Sequence, residues 1–131
     1  MLRYEITRWP VKPEPEKGDS ADQLESALGA IGEKEQFQVW LYDDDTAIAC
    51  LLCNRELAHH RILSRDGSGE SDIALDREHE GEEELTEEIY LENGQLDQFS
   101  REVCIPKPEG TDAIIYFFRY QSRSPRLQWI S

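Results

Sequence analysis

The side chains best suited to chemistry sit in the middle of the chain. Cys50-Leu51-Leu52-Cys53 is a Cys-x-x-Cys, and His59-His60 follows it. Thiolates and imidazoles so placed hold zinc or exchange disulfides. The neighbouring residues argue against both uses. Ala47 to Cys53 is a continuous apolar run bounded by polar residues, the pattern of a strand buried on both sides. In a strand, residues three apart point to opposite faces, so Cys50 and Cys53 cannot share a metal without a local turn. No second Cys pair supplies the remaining ligands. Both cysteines are expected in the core, with no metal and no cofactor. His59 and His60 also point opposite ways if extended, and read as surface strand residues.

Carboxylates are the other candidates. Asp43-Asp44-Asp45 offers hard oxygens for calcium, but an EF-hand loop spreads its ligands over twelve residues with a central Gly and a final Glu, and that pattern is absent. Glu82-Glu83-Glu84 could suggest a hydrolase. General acid–base work needs two carboxyls in distinct environments, whereas a crowded run reads as a solvated face. No Gly-x-Ser-x-Gly, phosphate-cradling loop or Gly-x-Gly-x-x-Gly occurs. Nor is there a His-x-Glu with a later Pro-Cys-x-x-Cys, the zinc-deaminase signature. The residues point away from an enzyme.

Charge narrows the partner. The 131 residues carry 28 acids against 14 Lys and Arg, a formal net charge of -14. That balance disfavours direct binding to nucleic acid or an anionic membrane and favours a basic protein surface. No run of eighteen apolar residues and no signal-peptide apolar region occur, and three cysteines are an odd number for a disulfide framework. A soluble, reduced, cytoplasmic protein is expected, with one domain spanning residues 1–131.

The elements that must position these residues follow from periodicity and turn chemistry. Leu2 to Trp9 reads as a first strand, and the prolines of Pro10 to Glu16 as an extended loop. Ser20-Ala21-Asp22-Gln23 is a capping box, followed by Leu24, Ala27, Leu28 and Ile31 at helical spacing, with Gly32 as the stop. Phe37 to Tyr42 alternates, and with Ala47 to Cys53 it forms a hairpin around the Asp43 to Asp45 turn. Phe37, Val39 and Leu41 form one face. Trp40 and Tyr42 form the other, expected to lie under a helix. Leu57 to Leu63 is a third strand, with a loop at Asp66 to Gly69. Glu70 to Glu88 holds ten acids and a single Lys or Arg, Arg77, so it reads as an exposed loop or edge in which Ile73 and Leu75 make a brief strand. Thr86 to Glu92 alternates into Asn93-Gly94, a strong hairpin signal, and Leu96 to Ile105 returns as a strand or an extended crossing. Pro108, Glu109 and Asp112 suit a helix start, and Arg119 its end. The fold class is α+β (α/β): one mostly antiparallel sheet of about five to six strands with two helices packed on it.

The tail is the most distinctive stretch. Ala113 to Gln121 is a helix dense in aromatics, Pro125 bends the chain, and Leu127 and Trp129 come near its end. Apolar residues there imply a tail that folds back and docks. The stretch from Glu88 to Trp129 resembles the C-terminal half of immunity protein family one of bacterial polymorphic-toxin systems. The resemblance rests on Ile89 to Leu91, Asn93-Gly94, the extended Ser100 to Ile105, the Phe117-Phe118 pair, Arg123 to Pro125, and Trp129. Ser124 stands between Arg123 and Pro125, where the family pattern joins Arg and Pro directly. The resemblance implies an inhibitor that binds and inactivates a secreted toxin domain of the deaminase class. Charge and position, rather than the resemblance, nominate Asp43, Asp44, Asp45, Glu78, Glu80, Glu82, Glu83 and Glu84 as partner contacts, with Trp40 and Tyr42 as apolar anchors. The alternatives are a small α+β ligand-binding or hydrolytic domain, and a regulatory adaptor for another basic protein.

Overall fold

The computed structural model describes residues 1–9, 14–63, 71–90 and 96–130. Among these residues, ten strands and two α-helices run in the order β1 (Leu2–Trp9), β2 (Glu16–Gly18), α1 (Ala21–Gly29), β3 (Gln36–Asp43), β4 (Thr46–Cys53), β5 (Leu57–Leu63), β6 (Ser71–Leu75), β7 (Thr86–Tyr90), β8 (Leu96–Ser100), β9 (Ile105–Pro106), α2 (Lys107–Tyr120) and β10 (Gln128–Ile130). The class is α+β, as the periodicity indicates, but the sheet is larger than five or six strands. Its order is β10-β6-β5-β4-β3-β1-β2, with β9 also pairing with β5, and every pairing is antiparallel. The strands that sequence reading misses are short. Glu16–Gly18, Ile105–Pro106 and Gln128–Ile130 carry too few residues to show a period of two, and two of them lie beside prolines.

Both faces of the sheet are used. Tyr4, Ile6, Phe37, Val39, Leu41, Ala49, Leu51, Cys53 and Ala58 pack against Leu24 and Leu28 of α1 and Ile114, Phe117 and Phe118 of α2. The opposite face carries Cys50 and Leu52, covered by Ile89 of β7 with Cys104, Trp40, Leu57 and Phe99 around them. Among the described residues, strands β7 and β8 pair only with each other and form a ribbon lying on that face. The double covering of β4 explains why its apolar run does not alternate.

Local signals account for the helices. The Ser20 hydroxyl accepts from the Gln23 amide at 3.1 Å, and the Gln23 side chain accepts from the Asp19 amide at 3.1 Å, one residue earlier than an ideal capping box. The helix stops at Gly29 with Ala30 as its cap, short of Gly32, because the Ala30 and Ile31 amides already close the last turn on Ser26 and Leu28. Gly110, Ala113, Ile114, Phe117 and Phe118 form one buried stripe of α2 at helical spacing. Gly110 is where that helix comes closest to the sheet: a Cβ there would stand 2.8 Å from the Ala58 Cβ and 2.9 Å from Leu51 Cδ1. At the helix start, buried Lys107 donates to the carbonyls of Glu33 at 3.0 Å and Glu35 at 2.7 Å, fixing the entry to β3. Burial pushes its ammonium below the ordinary lysine value, with Cys53, Glu35 and Glu56 acting against that.

The tail docks as a strand. Gln128, Trp129 and Ile130 pair with Leu75, Ala74 and Ile73, and the Trp129 indole donates to the Ser124 carbonyl at 3.0 Å. Its ring meets His60 edge-on, with centroids 5.2 Å apart. The Asp66 to Gly69 loop and the Asn93-Gly94 turn lie outside the described residues.

Gly110→Ala is expected to lower stability by about 1–3 kcal/mol despite the gain in helix propensity, because the added methyl must push α2 off β4 and β5. Trp129→Ala should cost about 3–5 kcal/mol in chemical denaturation. A Trp129→Ala chain of unchanged midpoint would show that the tail contributes nothing to the fold.

Candidate functional site

The acidic segment is built on the end of β6. Asp76 starts a single 3-10 turn, Arg77–His79, and its carboxylate accepts from the Glu78 amide at 3.1 Å. The other Asp76 oxygen accepts from the Arg101 guanidinium at 3.0 Å, a partly buried pair. The Asp76 amide donates to the Glu102 carbonyl at 2.7 Å. Gly81 turns the chain at φ 87, a conformation that excludes most side chains, and its amide donates to the Glu102 carboxylate at 3.0 Å. His79 and Glu82 are hydrogen-bonded to each other. The arc is therefore pinned at its base to the segment Arg101 to Cys104. From that base Glu78, Glu80, Glu83 and Glu84 point outward, all exposed, and none has an ion pair among the described residues. Leu85 follows them at 57% exposure, a large apolar side chain directly beside the acids.

The Asp43 to Asp45 group is built differently. It is the tight turn of the β3–β4 hairpin, with Asp44 at φ 53, a conformation that Asp tolerates better than most residues. The Met1 ammonium lies 3.1 Å from an Asp43 oxygen and 3.2 Å from an Asp44 oxygen, offsetting part of the charge, while Asp45 is exposed. Trp40 and Tyr42 lie on the ribbon side of β3. Neither α1 nor α2 covers them, contrary to the expectation, because both helices pack on the face of Phe37, Val39 and Leu41. Trp40 is half-buried against the Cys50 and Leu52 cluster, and its indole donates to Gln38 at 3.2 Å. Tyr42 is half-buried beneath the Arg3 guanidinium, 4.3 Å from the ring centre.

The ten nominated residues therefore form two groups. The register sets Ile73 level with Arg61, Cys50 and Trp40, so β6 leaves the sheet at the end away from Asp43. With strands about 4.8 Å apart and residues about 3.4 Å apart along them, roughly 20 Å separates the Asp turn from the start of the glutamate arc. Tyr42 and Trp40 belong with the Asp turn. Leu85 is the exposed apolar residue beside the arc, whereas Leu96, at 46% exposure, pairs with Tyr90 at the end of the ribbon away from it, and the sequence reading gives neither a role. The available signal was a leucine standing alone within an acidic run.

The histidines are a correction. His59 and His60 are 1% and 0% exposed, not on the surface. They do point opposite ways. His59 faces the ribbon, with its Nδ1 2.9 Å from the Val103 carbonyl, and His60 faces the helices, with its Nδ1 2.9 Å from the Cys50 carbonyl. In each ring Nδ1 donates and Nε2 is left buried without a partner among the described residues. Burial pushes His60 down to about 4, against the opposing effect of its bond to Cys50. Burial likewise raises the thiols of Cys50 and Cys104 to about 12, and that of Cys53 further. Cys50 and Cys53 lie on opposite faces, as the strand geometry requires. Among the described residues, no group of three His, Cys, Asp or Glu side chains is placed to hold a metal.

A cleft of about 480 Å³ lies between the arc and the tail and is lined by Leu75, Arg77, Glu78, Glu109, Arg126 and Leu127 among others. The buried histidines and cysteines do not line it. No helix among the described residues is long and apolar enough to cross a membrane. No family model matches the chain, and no curated protein matches it.

His60 carries a pH signature. Its folded value lies below the unfolded value of 6.5, so the unfolded chain takes up the proton first as pH falls. The stability that His60 contributes is complete above about pH 6.5 and is lost progressively towards pH 4. Between pH 7 and pH 5 the loss is about 2 kcal/mol. Urea midpoints measured across this range should fall, and His60→Phe should flatten the decline by that amount. An equal slope in the variant would exclude His60 as the titrating group.

Proposed function

We propose that this chain is a non-catalytic inhibitor: an immunity protein that binds a cognate secreted toxin domain in the cytoplasm and occludes its substrate cleft. The observation that carries the reading is the glutamate arc. Four exposed carboxylates, without ion pairs among the described residues, project from a base fixed by the Asp76–Arg101 pair and the Glu102–Gly81 hydrogen bond. A toxin domain that processes nucleic acid presents a basic concave surface. A fixed acidic projection complements such a surface, speeds encounter and excludes the substrate. Leu85 beside the arc supplies apolar contact that charge alone does not.

The buried state of the reactive side chains supports the same reading. Cys50, Cys53, Cys104, His59 and His60 are enclosed in packed layers, and Lys107 is occupied by two carbonyls. The resemblance of Glu88 to Trp129 to immunity protein family one narrows the partner to the deaminase class of toxins. Within that stretch, Ile89, Phe117 and Phe118 are buried and Trp129 packs on the core, so these positions hold the fold and leave binding to the arc.

Co-expression with the toxin domain encoded beside this chain should rescue growth and give a co-purifying complex. Glu78, Glu80, Glu82, Glu83 and Glu84, all replaced by Gln, should slow association at least tenfold at low salt and flatten its salt dependence. Asn at Asp43, Asp44 and Asp45 should change it much less. An unaltered on-rate in the five-Gln chain would remove the arc from the interface, and turnover of a substrate by the purified chain alone would overturn the reading.

A further inference from the structure

Among the described residues, the β7–β8 ribbon shares no backbone ladder with the main sheet. A two-stranded ribbon is marginal in water by itself, so side chains must hold this one in place. Ile89 buries against Cys50, Leu52 and Cys104. The Asn54 amide donates to the Glu88 carbonyl at 3.3 Å. Phe99 packs in the same cluster as Trp40 and Leu57, and it carries a further attachment, His59. Its ring stacks on Phe99 of β8 with centroids 4.3 Å apart and planes 24° apart, and its Nδ1 donates to the Val103 carbonyl at 2.9 Å. Its Nε2 is buried with no partner among the described residues. A neutral ring tolerates that arrangement, because a bare acceptor costs little more than its lost hydration. An imidazolium does not, because it would bury a second N–H with nothing to accept it.

We propose that His59 is a pH-operated latch: neutral, it holds the ribbon on the sheet, and protonated at Nε2 it lets the ribbon lift while the main sheet stays folded.

The charges around the ring leave the outcome to burial. Arg61, on the same face of β5, repels a proton on His59, and His60 does so more weakly from the opposite face. Asp97 of β8 attracts it. Glu87 of β7, Arg101 and Asp76 lie around neighbouring Cys104, and Arg101 and Asp76 are paired with each other. Strand β4 presents Cys50, whose thiol burial keeps neutral. Burial outweighs the rest and pushes His59 down to about 4. Lifting the ribbon returns the ring to water and to an ordinary value near 6.5. From those two values the open fraction rises about tenfold between pH 7.5 and pH 5.5. The latch is a property of the ribbon and is independent of the proposed partner.

The cysteines provide the test. Cys50 and Cys104 lie under the ribbon, and Cys53 lies on the opposite face in the helix-covered core. The full chain would be labelled with a dipyridyl disulfide, which reacts with thiols in mild acid, and each cysteine followed by mass spectrometry. Rates would be normalised to an unstructured thiol peptide at each pH. A ribbon that lifts alone labels Cys50 and Cys104 at least tenfold faster than Cys53, with their normalised rates rising about tenfold from pH 7.5 to pH 5.5. In His59→Phe, which keeps the ring contact but cannot titrate, the rise should disappear. Should that variant fail to fold, the wild-type ratio of Cys104 to Cys53 decides by itself. Simultaneous labelling of all three cysteines, or an undiminished rise in His59→Phe, would overturn the latch.

Discussion

Successive side chains on a strand leave it on opposite sides, and at His59 and His60 that alternation ties two separate appendages to one strand. His59 meets the ribbon through Phe99 and Val103, and His60 meets the docked tail through Trp129. Strand β5 is also where the ladder forks, since both β6 and β9 pair with it and α2 begins directly after β9. The arc grows from β6 and the ribbon's return segment leads into β9, so the parts that face outward are all referred to this strand. Imidazole suits such a place. One nitrogen donates to a backbone carbonyl, and the flat ring packs like an aromatic. The cost is a second nitrogen without a partner, about 1–3 kcal/mol each, set against ring contacts of about 0.5–1.5 kcal/mol. The arrangement holds only while both rings stay neutral.

The charge surplus has a spatial logic. Arg3 and Lys17 meet Glu5, Arg8 meets Glu16 and Glu35, Arg101 meets Asp76, Arg119 meets Asp22 and Glu25, and Arg123 meets Asp72. Most of these join elements distant in sequence, so the few cations are used where strands and helices must be held together. Several are exposed and individually weak, and their value lies in not leaving acids unpaired at the joints. With twice as many acids as bases, the remainder must go where no joint needs a cation. Much of it collects after β6. There the local backbone, through the Gly81 turn and the Asp76 cap, holds like charges together against their own repulsion.

The legible part of the fold is the part with a period. Leu2–Trp9 and Leu57–Leu63 emerge with their observed bounds, and β3 and β4 nearly so, because alternation or a bounded apolar run marks each of them. The capping signature at Ser20 and the buried stripe of α2 are likewise local features. What was not legible depends on covering. Alternation sorts residues into two faces but does not say which face takes the helices, so Trp40 and Tyr42 were assigned the wrong cover. Nor does it say that a second face is covered at all, and for that reason the pattern at His59 and His60 looks like that of surface residues. The ribbon that buries His59 lies far along the chain, and the tail that covers His60 lies further still. The acidic residues were readable as exposed because no fold buries that many unpaired carboxylates. Their division into two groups was not, since it depends on the sheet order.

That division limits what a partner can look like. A concave cleft that admits the glutamate arc closes on a projection only a few residues wide, and the Asp turn lies roughly 20 Å away across three strand spacings. One cleft of ordinary size cannot enclose both. The Asp turn is also partly neutralised by the Met1 ammonium, whereas the arc, whose own cations are Arg77 and His79, leaves Glu78, Glu80, Glu83 and Glu84 without an ion pair among the described residues. A basic surface therefore gains more by meeting the arc, where it displaces only water and mobile counterions, than by meeting the turn, where it must compete with an existing pair. The sheet between them carries Trp40 and Tyr42 half-buried, and it is flanked by the ribbon that rises beside it. A partner seated on the arc would thus approach from the edge of the ribbon. Its orientation would be set by apolar contact at Leu85 rather than by charge, because charge complementarity alone is poorly directional and Leu85 is the large apolar side chain exposed directly beside the acids.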